Sequence, residues 1–367
     1  MAPLEPYEKV LVSVDFMKTT HGKITCIDCH KGTQNLDKNK AHTGMVSDPS
    51  ADPKGACATC HAELTAGYQK SLHSTLAGYW TVLNARSTPE KKPALEKMFG
   101  NHCSSCHSTC GDCHVSQPNS VGSGFLNGHN FEKTPPMTRT CTACHGSRVG
   151  NDYLGKHEDI PGDVHFREER MTCVSCHTGP SLHTAPADQS THRYAGEQNP
   201  KCETCHPKVG AAGDPVSQHS THKDKLSCQV CHSVSYTSCD GCHVSISKDT
   251  QAPMYKTEGD YLTFFIGKNA RKDATRPYNY VTVRHVPISP DNFAYYGENL
   301  LPNFDKLPTW AYTTPHNIQL KTPQTETCNK CHGNPKIFLT ADKVAKDELK
   351  ANQPVIVDKV PAAIPGQ

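Results

Sequence analysis

Cys103-Ser104-Ser105-Cys106-His107, followed after Ser108 and Thr109 by Cys110-Gly111-Asp112-Cys113-His114, decides how this chain is read. Each segment carries two thiols three positions apart and an imidazole on the next residue. On a helical turn, positions i, i+3 and i+4 share one face. Two thiols on that face can add across the two vinyl groups of one porphyrin while the imidazole reaches its iron. Cys-x-x-Cys-His is the attachment signature of c-type haem for that reason.

The pattern recurs until all 20 cysteines are used. Besides the two motifs quoted, the cysteine pairs are Cys26/Cys29, Cys57/Cys60, Cys141/Cys144, Cys173/Cys176, Cys202/Cys205, Cys228/Cys231, Cys239/Cys242 and Cys328/Cys331. The histidines that follow are His30, His61, His107, His114, His145, His177, His206, His232, His243 and His332, the expected proximal iron ligands. Zinc ribbons also use Cys-x-x-Cys, but zinc does not require His directly after the second Cys. A disulfide framework needs an even cysteine count and nothing about this spacing. Ten matches by accident have odds on the order of 10⁻¹², so ten c-type haems are the expected cofactors.

Of 23 histidines, 13 lie outside the motifs, close to one per motif. Met, the other common electron-transfer ligand, occurs only seven times and in no fixed relation to the motifs. Bis-histidine coordination is therefore expected throughout, with low-spin iron and low potentials. The expected distal ligands are His21, His42, His73, His129, His165, His183, His219, His222, His285 and His316. His73 ends a helix-like stretch that could lift it toward a neighbouring haem. His102 abuts Cys103 and is held in reserve, and His157 and His192, in polar stretches, read as solvated side chains.

Leu, Ile, Val and Phe make up about 17% of the 367 residues, and the net charge is only +2. A chain this poor in core side chains usually stays unfolded, so covalently held cofactors are expected to be the core and the apoprotein largely unstructured. The fold class that follows is a multihaem cytochrome c: mostly coil, with short α-helices around a stacked haem chain and little β. A longer helix is expected near 91–99. Residues 1–243 form a region with nine motifs, 244–327 a haem-free insertion, and 328–367 the tenth motif with an extended tail. Within the insertion, the β-branched runs at 261–266 and 278–286 predict a hairpin turning at Gly267-Lys268-Asn269. Arg271, Lys272 and Arg276 in its loop read as solvated, whereas His285 and His316 could reach back to cap haems. The proline-containing tail, 353–367, is expected to dock on its own body or on a neighbouring copy.

No stretch approaches the roughly 18 apolar residues of a membrane helix, so no transmembrane segment is expected. The run 10–14 is too short for a signal-peptide core, so any export leader is expected to have been removed or to lie outside this numbering. A net charge of +2, further offset by two propionates on each haem, gives no reason to expect nucleic acid as a partner.

With its ten motifs and spare histidines, the chain resembles the exported multihaem c-type cytochromes of bacteria and archaea that perform extracellular electron transfer. The resemblance runs from Cys26 to His332. It implies export before haem attachment, an extracellular or cell-surface location with the periplasm as alternative, and redox proteins or extracellular acceptors as partners. Some members polymerise into filaments in which one subunit gives a histidine to a haem of the next; His21, near the N-terminus, is the expected donor here. Three functions compete: an extracellular conduit or filament subunit, a periplasmic carrier, and a multihaem reductase or oxidase with one open iron. Several such reductases replace the motif His by Lys at the catalytic haem, and every motif here keeps His. The expectation is electron transfer without enzymatic chemistry.

Overall fold

The computed structural model describes residues 11–104, 108–118, 121–157, 159–183, 199–235, 241–258 and 263–367, with backbone alone at 147–148, 241–242 and 256–258. The expected Cys106, His107, Cys239 and His192, and the Cys242 side chain, lie outside the described residues.

Most described motifs form single helical turns: Cys26–His30, Cys110–His114, Cys141–Cys144, Cys173–Cys176, Cys202–Cys205, Cys228–His232 and the 3₁₀ turn Cys328–Lys330. Isolated helices shorter than about 12–15 residues do not hold in water, so local devices start these turns. The Asp28 carboxylate accepts from the Thr25 N–H at 3.2 Å and the Thr25 hydroxyl at 2.6 Å. Asp112 accepts from the Thr109 N–H at 2.8 Å, while the Thr109 hydroxyl accepts from the Asp112 N–H at 3.3 Å. These are capping boxes, with the partner carboxylate placed inside the motif itself. Longer helices run Ala58–Tyr68, Ala77–Arg86 and Lys92–His102, the last meeting the expectation near 91–99.

The second motif departs from the single-turn form. Cys57 is the residue before Ala58–Tyr68, Cys60 lies in its first turn, and His61 breaks the helical geometry with φ −118° and ψ 42°. The motif's own turn therefore ends in a kink at its histidine. Cys60 is exposed, as are Cys26, Cys144, Cys176, Cys202 and Cys205. The reason is local. A cysteine on one short turn has too few neighbouring side chains to cover it.

The chain divides into two compact units. The first comprises Met1–Ala77, Ser105–Gly146 and Thr172–Gln198, and the second Gly78–Ser104, Ser147–Met171 and Asn199–Gln367. The chain passes between units several times, and the 244–327 interval falls in the same unit as the tenth motif. The first unit holds the motifs that begin at Cys26, Cys57, Cys110, Cys141 and Cys173. Among the described residues its buried apolar side chains are few: Phe16, Tyr68, Leu76, Val115 and Leu126.

The second unit has a side-chain core. Strands β1 (Gly241–Ile246) and β2 (Pro253–Glu258) pair antiparallel, and β3 (Phe264–Lys268), β4 (Tyr280–His285) and β5 (Trp310–Tyr312) form a second antiparallel sheet in the order β3-β4-β5. The β3–β4 hairpin meets the sequence expectation, but its turn lies later. Gly267 is inside β3, where an added Cβ would stand 2.8 Å from the Val283 side chain and 3.1 Å from the Val355 carbonyl oxygen. Glycine there is needed for close approach. Strands β1, β2 and β5 were not expected, and His243 lies on β1 rather than on a helical turn.

Strand β4 is buried on both faces, with Val281, Thr282 and Val283 at most 1% exposed. Val281 and Val283 pack with Trp310, Leu339, Val344, Val355 and Ile356. The last two come from the tail, so the tail docks on its own body: Lys268 N–H donates to the Val355 carbonyl at 2.8 Å and Val357 N–H to that of Leu339 at 2.8 Å. A second cluster, Val230, Ile266, Phe338 and Val357, packs Cys231 and Cys331 against the sheet. The sheet thereby positions two motifs. Arg276 is not solvated as expected: its guanidinium meets Asp273 at 3.4 Å and lies 5.1 Å from the centre of the Tyr312 ring. Among the described residues, no helix is long and apolar enough to cross a membrane.

Candidate metal-binding histidine pairs

Imidazole nitrogens bind first-row metals at about 2.0–2.1 Å, so two rings on opposite sides of one metal have centroids roughly 6.3 Å apart. In the first unit, four motif histidines face a spare histidine near that separation. These are His61 with His21 at 6.2 Å, His30 with His129 at 5.9 Å, His145 with His73 at 6.1 Å and His114 with His183 at 6.1 Å. In the second unit there are three more: His206 with His165 at 6.0 Å, His232 with His219 at 6.2 Å and His332 with His222 at 6.3 Å. Ordinary aromatic contacts here scatter more widely, from 4.0 Å for His21–Phe131 to 6.5 Å for Tyr68–His183. Each of the seven pairs joins one motif histidine to one spare. That selectivity is what a metal ion held between them would require.

The Nδ1 atoms are engaged in a consistent way. His30 donates Nδ1–H to the Val46 carbonyl at 2.8 Å, His114 to Glu132 at 2.6 Å, His232 to Gln319 at 3.0 Å and His332 to Ala362 at 3.1 Å. On the facing side, His222 donates to the Gln218 carbonyl at 3.0 Å. A carbonyl can only accept, so the proton sits on Nδ1 and the lone pair on Nε2, free to bind metal. Two spare histidines meet carboxylates instead. Asp163 Oδ1 accepts from His165 Nδ1 at 2.8 Å, and Asp214 Oδ2 accepts from His219 Nδ1 at 2.8 Å. Asp214 is held down to about 2, chiefly by the Gly210 and Val216 N–H groups, with His219 adding to them.

Burial favours the neutral, ligand-competent imidazole. It lowers His21, His129, His145, His177 and His183, and takes His73 from the usual 6.5 to about 4. All six belong to the first unit. Below pH 6.5 the unfolded chain takes up protons that these buried rings resist, so their contribution to stability is full above 6.5 and falls as pH drops, for His73 down to about 4. In the haem-loaded protein, urea midpoints of the first unit, followed by hydrogen exchange, should fall as pH drops below 6.5. A flat profile would show that these rings are not held neutral.

The remaining spare histidines differ. His285 departs from the expectation of a distal ligand: its Nε2 meets the Glu348 carboxylate at 2.9 and 3.0 Å, and its ring packs on Trp310 at 5.3 Å. Thr309 and Asn352 complete that buried network, since Glu348 Oε2 accepts from Thr309 Oγ1 at 2.9 Å and Asn352 Nδ2 donates to Thr309 Oγ1 at 2.7 Å. His157 is not solvated; its Nε2 bonds the buried Asp152 at 3.0 Å. His102 is buried with its Nε2 2.7 Å from the Tyr296 hydroxyl. His316 is half-buried just beyond β5. His42 is exposed, and its Nδ1 donates to the Lys38 carbonyl at 2.8 Å. His21, expected to serve a neighbouring copy, faces His61 of its own chain.

The 244–327 interval does reach back to a motif, but through side chains the sequence reading did not select. Gln324 Nε2 donates to the carbonyls of Val230, Cys231 and Ser233 at 3.2, 3.2 and 2.7 Å. Gln319 N–H donates to the His232 carbonyl at 2.8 Å. No signal short of tertiary contact distinguishes these glutamines from solvated ones.

None of the 17 described cysteines is in a disulfide. Across motifs their side chains meet in pairs: Cys57 hydrogen-bonds Cys110, Cys141 bonds Cys173, and Cys202 bonds Cys228, lowering the thiol pKa of the first member of each pair. Of the second motif it is Cys57 that enters this series, whereas Cys60 stands exposed on the first turn of its helix. Weaker electrostatic coupling joins Cys29 to Cys57, Cys113 to Cys141 and Cys231 to Cys331. Counted along the chain, the attachment points run 1-2-4-5-6 in the first unit and 7-8-10 in the second. Among the described residues, no group of three or more His, Cys, Asp or Glu converges as a zinc ribbon requires. Protein-family models, curated proteins and solved structures were compared with the chain, and none matches.

Proposed function

We propose that this chain is an electron-transfer protein that holds ten haem c groups, each fastened by one Cys-x-x-Cys pair and ligated on both axial sides by histidine. The observation that carries this reading is the set of seven pairs at 5.9–6.3 Å, each joining a motif histidine to a spare one. When bound, haem c supplies reversible one-electron exchange at iron. The chain's own part is to fasten, orient and saturate. The cysteines make the group part of the polypeptide, the backbone carbonyls aim Nε2, and a second histidine closes the coordination position that a substrate would need. Three motif histidines remain to be matched, with His316, His42 and, in reserve, His102 as the proposed ligands. The succession of neighbouring motifs, 1-2-4-5-6 in the first unit and 7-8-10 in the second, supports a conduit rather than isolated centres.

The chain expressed with export and haem-attachment machinery should gain the mass of ten haems and give low-spin spectra throughout. A chain loaded with zinc and free of haem would overturn the reading. One native high-spin haem would instead favour a reductase or oxidase.

In the same proposal the protein works outside the cell or at its surface, passing electrons to redox proteins or extracellular acceptors, with a periplasmic carrier as alternative. His42 supports self-association into a filament. Its Nδ1 is anchored to the carbonyl four residues earlier, as in His222, and its ring is exposed without a motif histidine beside it among the described residues. His42→Ala should retain every haem by mass and lose polymers in sedimentation and electron microscopy. Wild-type protein that stays monomeric across concentration and salt would end the filament reading.

A further inference from the structure

Among the spare histidines that face a motif histidine, two stand apart by the charge of what their Nδ1 touches. Where the others donate Nδ1–H to anything described above, the acceptor is a neutral carbonyl. His165 and His219 donate to carboxylates, Asp163 and Asp214, at 2.8 Å each.

Both carboxylates are built in. Asp163 is 3% exposed. Its Oδ1 also accepts from the His165 N–H at 2.9 Å, and its Oδ2 from the Ile318 N–H at 2.9 Å. Asp214 accepts from the Gly210 N–H at 2.5 Å and the Val216 N–H at 2.9 Å. Neither side chain can turn away without leaving backbone donors unmet. The two sites are also neighbours: His165 faces His206, His219 faces His232, and Cys202 and Cys228 of those motifs are hydrogen-bonded.

We propose that Asp163 and Asp214 are positioning residues that make the seventh and eighth sites an adjacent pair of lowest potential, an inference that rests on the haem reading above. A carboxylate drawing on Nδ1–H makes the imidazole more basic toward metal. Its negative charge also favours the more positive, ferric state. Both effects act in one direction. Reduction adds one electron per iron, and the two buttressed sites accept theirs last. Electrons entering the second unit therefore fill the tenth site before this pair.

The test uses the intact holoprotein with Asp163→Asn and Asp214→Asn made separately. Asparagine removes the charge and keeps one oxygen acceptor, while its amide nitrogen leaves the backbone donor on the other side unmet. In a dithionite titration followed by EPR and paramagnetic NMR, each variant should raise one of the ten potentials while all haems stay low-spin. The expected change is at least tenfold in that site's reduced-to-oxidised ratio at fixed potential, or about 59 mV for one electron. Asp214→Glu should restore the low value. Unchanged potentials with low-spin haems intact would overturn the proposal and leave the bis-histidine reading standing. A high-spin seventh or eighth haem in the wild type would instead refute that reading. Should a variant not mature, the wild type still decides. The haems whose thioether protons belong to Cys202/Cys205 and Cys228/Cys231 must reduce last, and early reduction of either would sink the idea.

Discussion

Removal of His73 should convert one haem from low-spin to high-spin, whereas removal of His285 should change no spectrum and unfold the protein more easily. The contrast follows from what each ring touches. His73 faces His145 at 6.1 Å, in the separation that places a metal between two imidazoles. His73→Ala leaves one axial position unfilled, so that iron becomes open to cyanide or carbon monoxide and its potential rises. The same outcome is expected for His21, His129, His165, His183, His219 and His222. His285 is bound to Glu348 inside the core. Removing one partner of a buried pair leaves the other uncompensated, a cost of about 3–5 kcal/mol. EPR and ligand-binding spectra read the first effect and urea unfolding the second. Loss of a low-spin signal in His285→Ala, or its retention in His73→Ala, would reverse the assignment of spare histidines made here.

The apoprotein should keep a folded remnant in its second unit and none in its first. Ordering the backbone costs about 1–2 kcal/mol per residue, and fully burying a large apolar side chain returns about 1.5–3 kcal/mol. The first unit buries Phe16, Tyr68, Leu76, Val115 and Leu126, too few to offset its length. In the proposed reading, covalently attached porphyrin supplies the missing apolar surface. In the second unit, β3, β4 and β5 enclose Val281, Val283 and Trp310 under Leu339, Val355 and Ile356, all within 4% exposure. With every motif cysteine changed to serine, hydrogen exchange should find amides of the first unit unprotected and those of β4 slow. Equal protection in both units would mean that the cofactors are not the core. The sequence reading of a largely unfolded apoprotein is thereby narrowed to one unit.

The ten motifs and seven of the facing histidines were legible because attachment chemistry is local. It needs two thiols and an imidazole on one turn, and an excess of histidine to close the other axial side. Thr25 and Thr109, each followed three residues later by Asp, mark helix starts in the same local way. The kink that separates Cys60 from the rest of Ala58–Tyr68 at His61 left no such mark. The β3–β4 hairpin was legible from its branched residues, but Gly267 read as a turn because its real reason, the approach of Val355, comes from distant chain.

The sequence by itself determined the cofactor chemistry to propose, the proximal residues and the scarcity of a conventional core. Tertiary structure alone decided which spare histidine faces which motif, and that His285 and His157 meet carboxylates rather than motif histidines. It also decided that Gln319 and Gln324 clamp the Cys228–His232 turn, and that Asp163 and Asp214 stand behind His165 and His219. The physical reason is range. The Cys-x-x-Cys-His motif is specified within five residues, whereas the histidine that faces it, such as His183 for His114 or His222 for His332, comes from far along the chain and depends on how the chain returns.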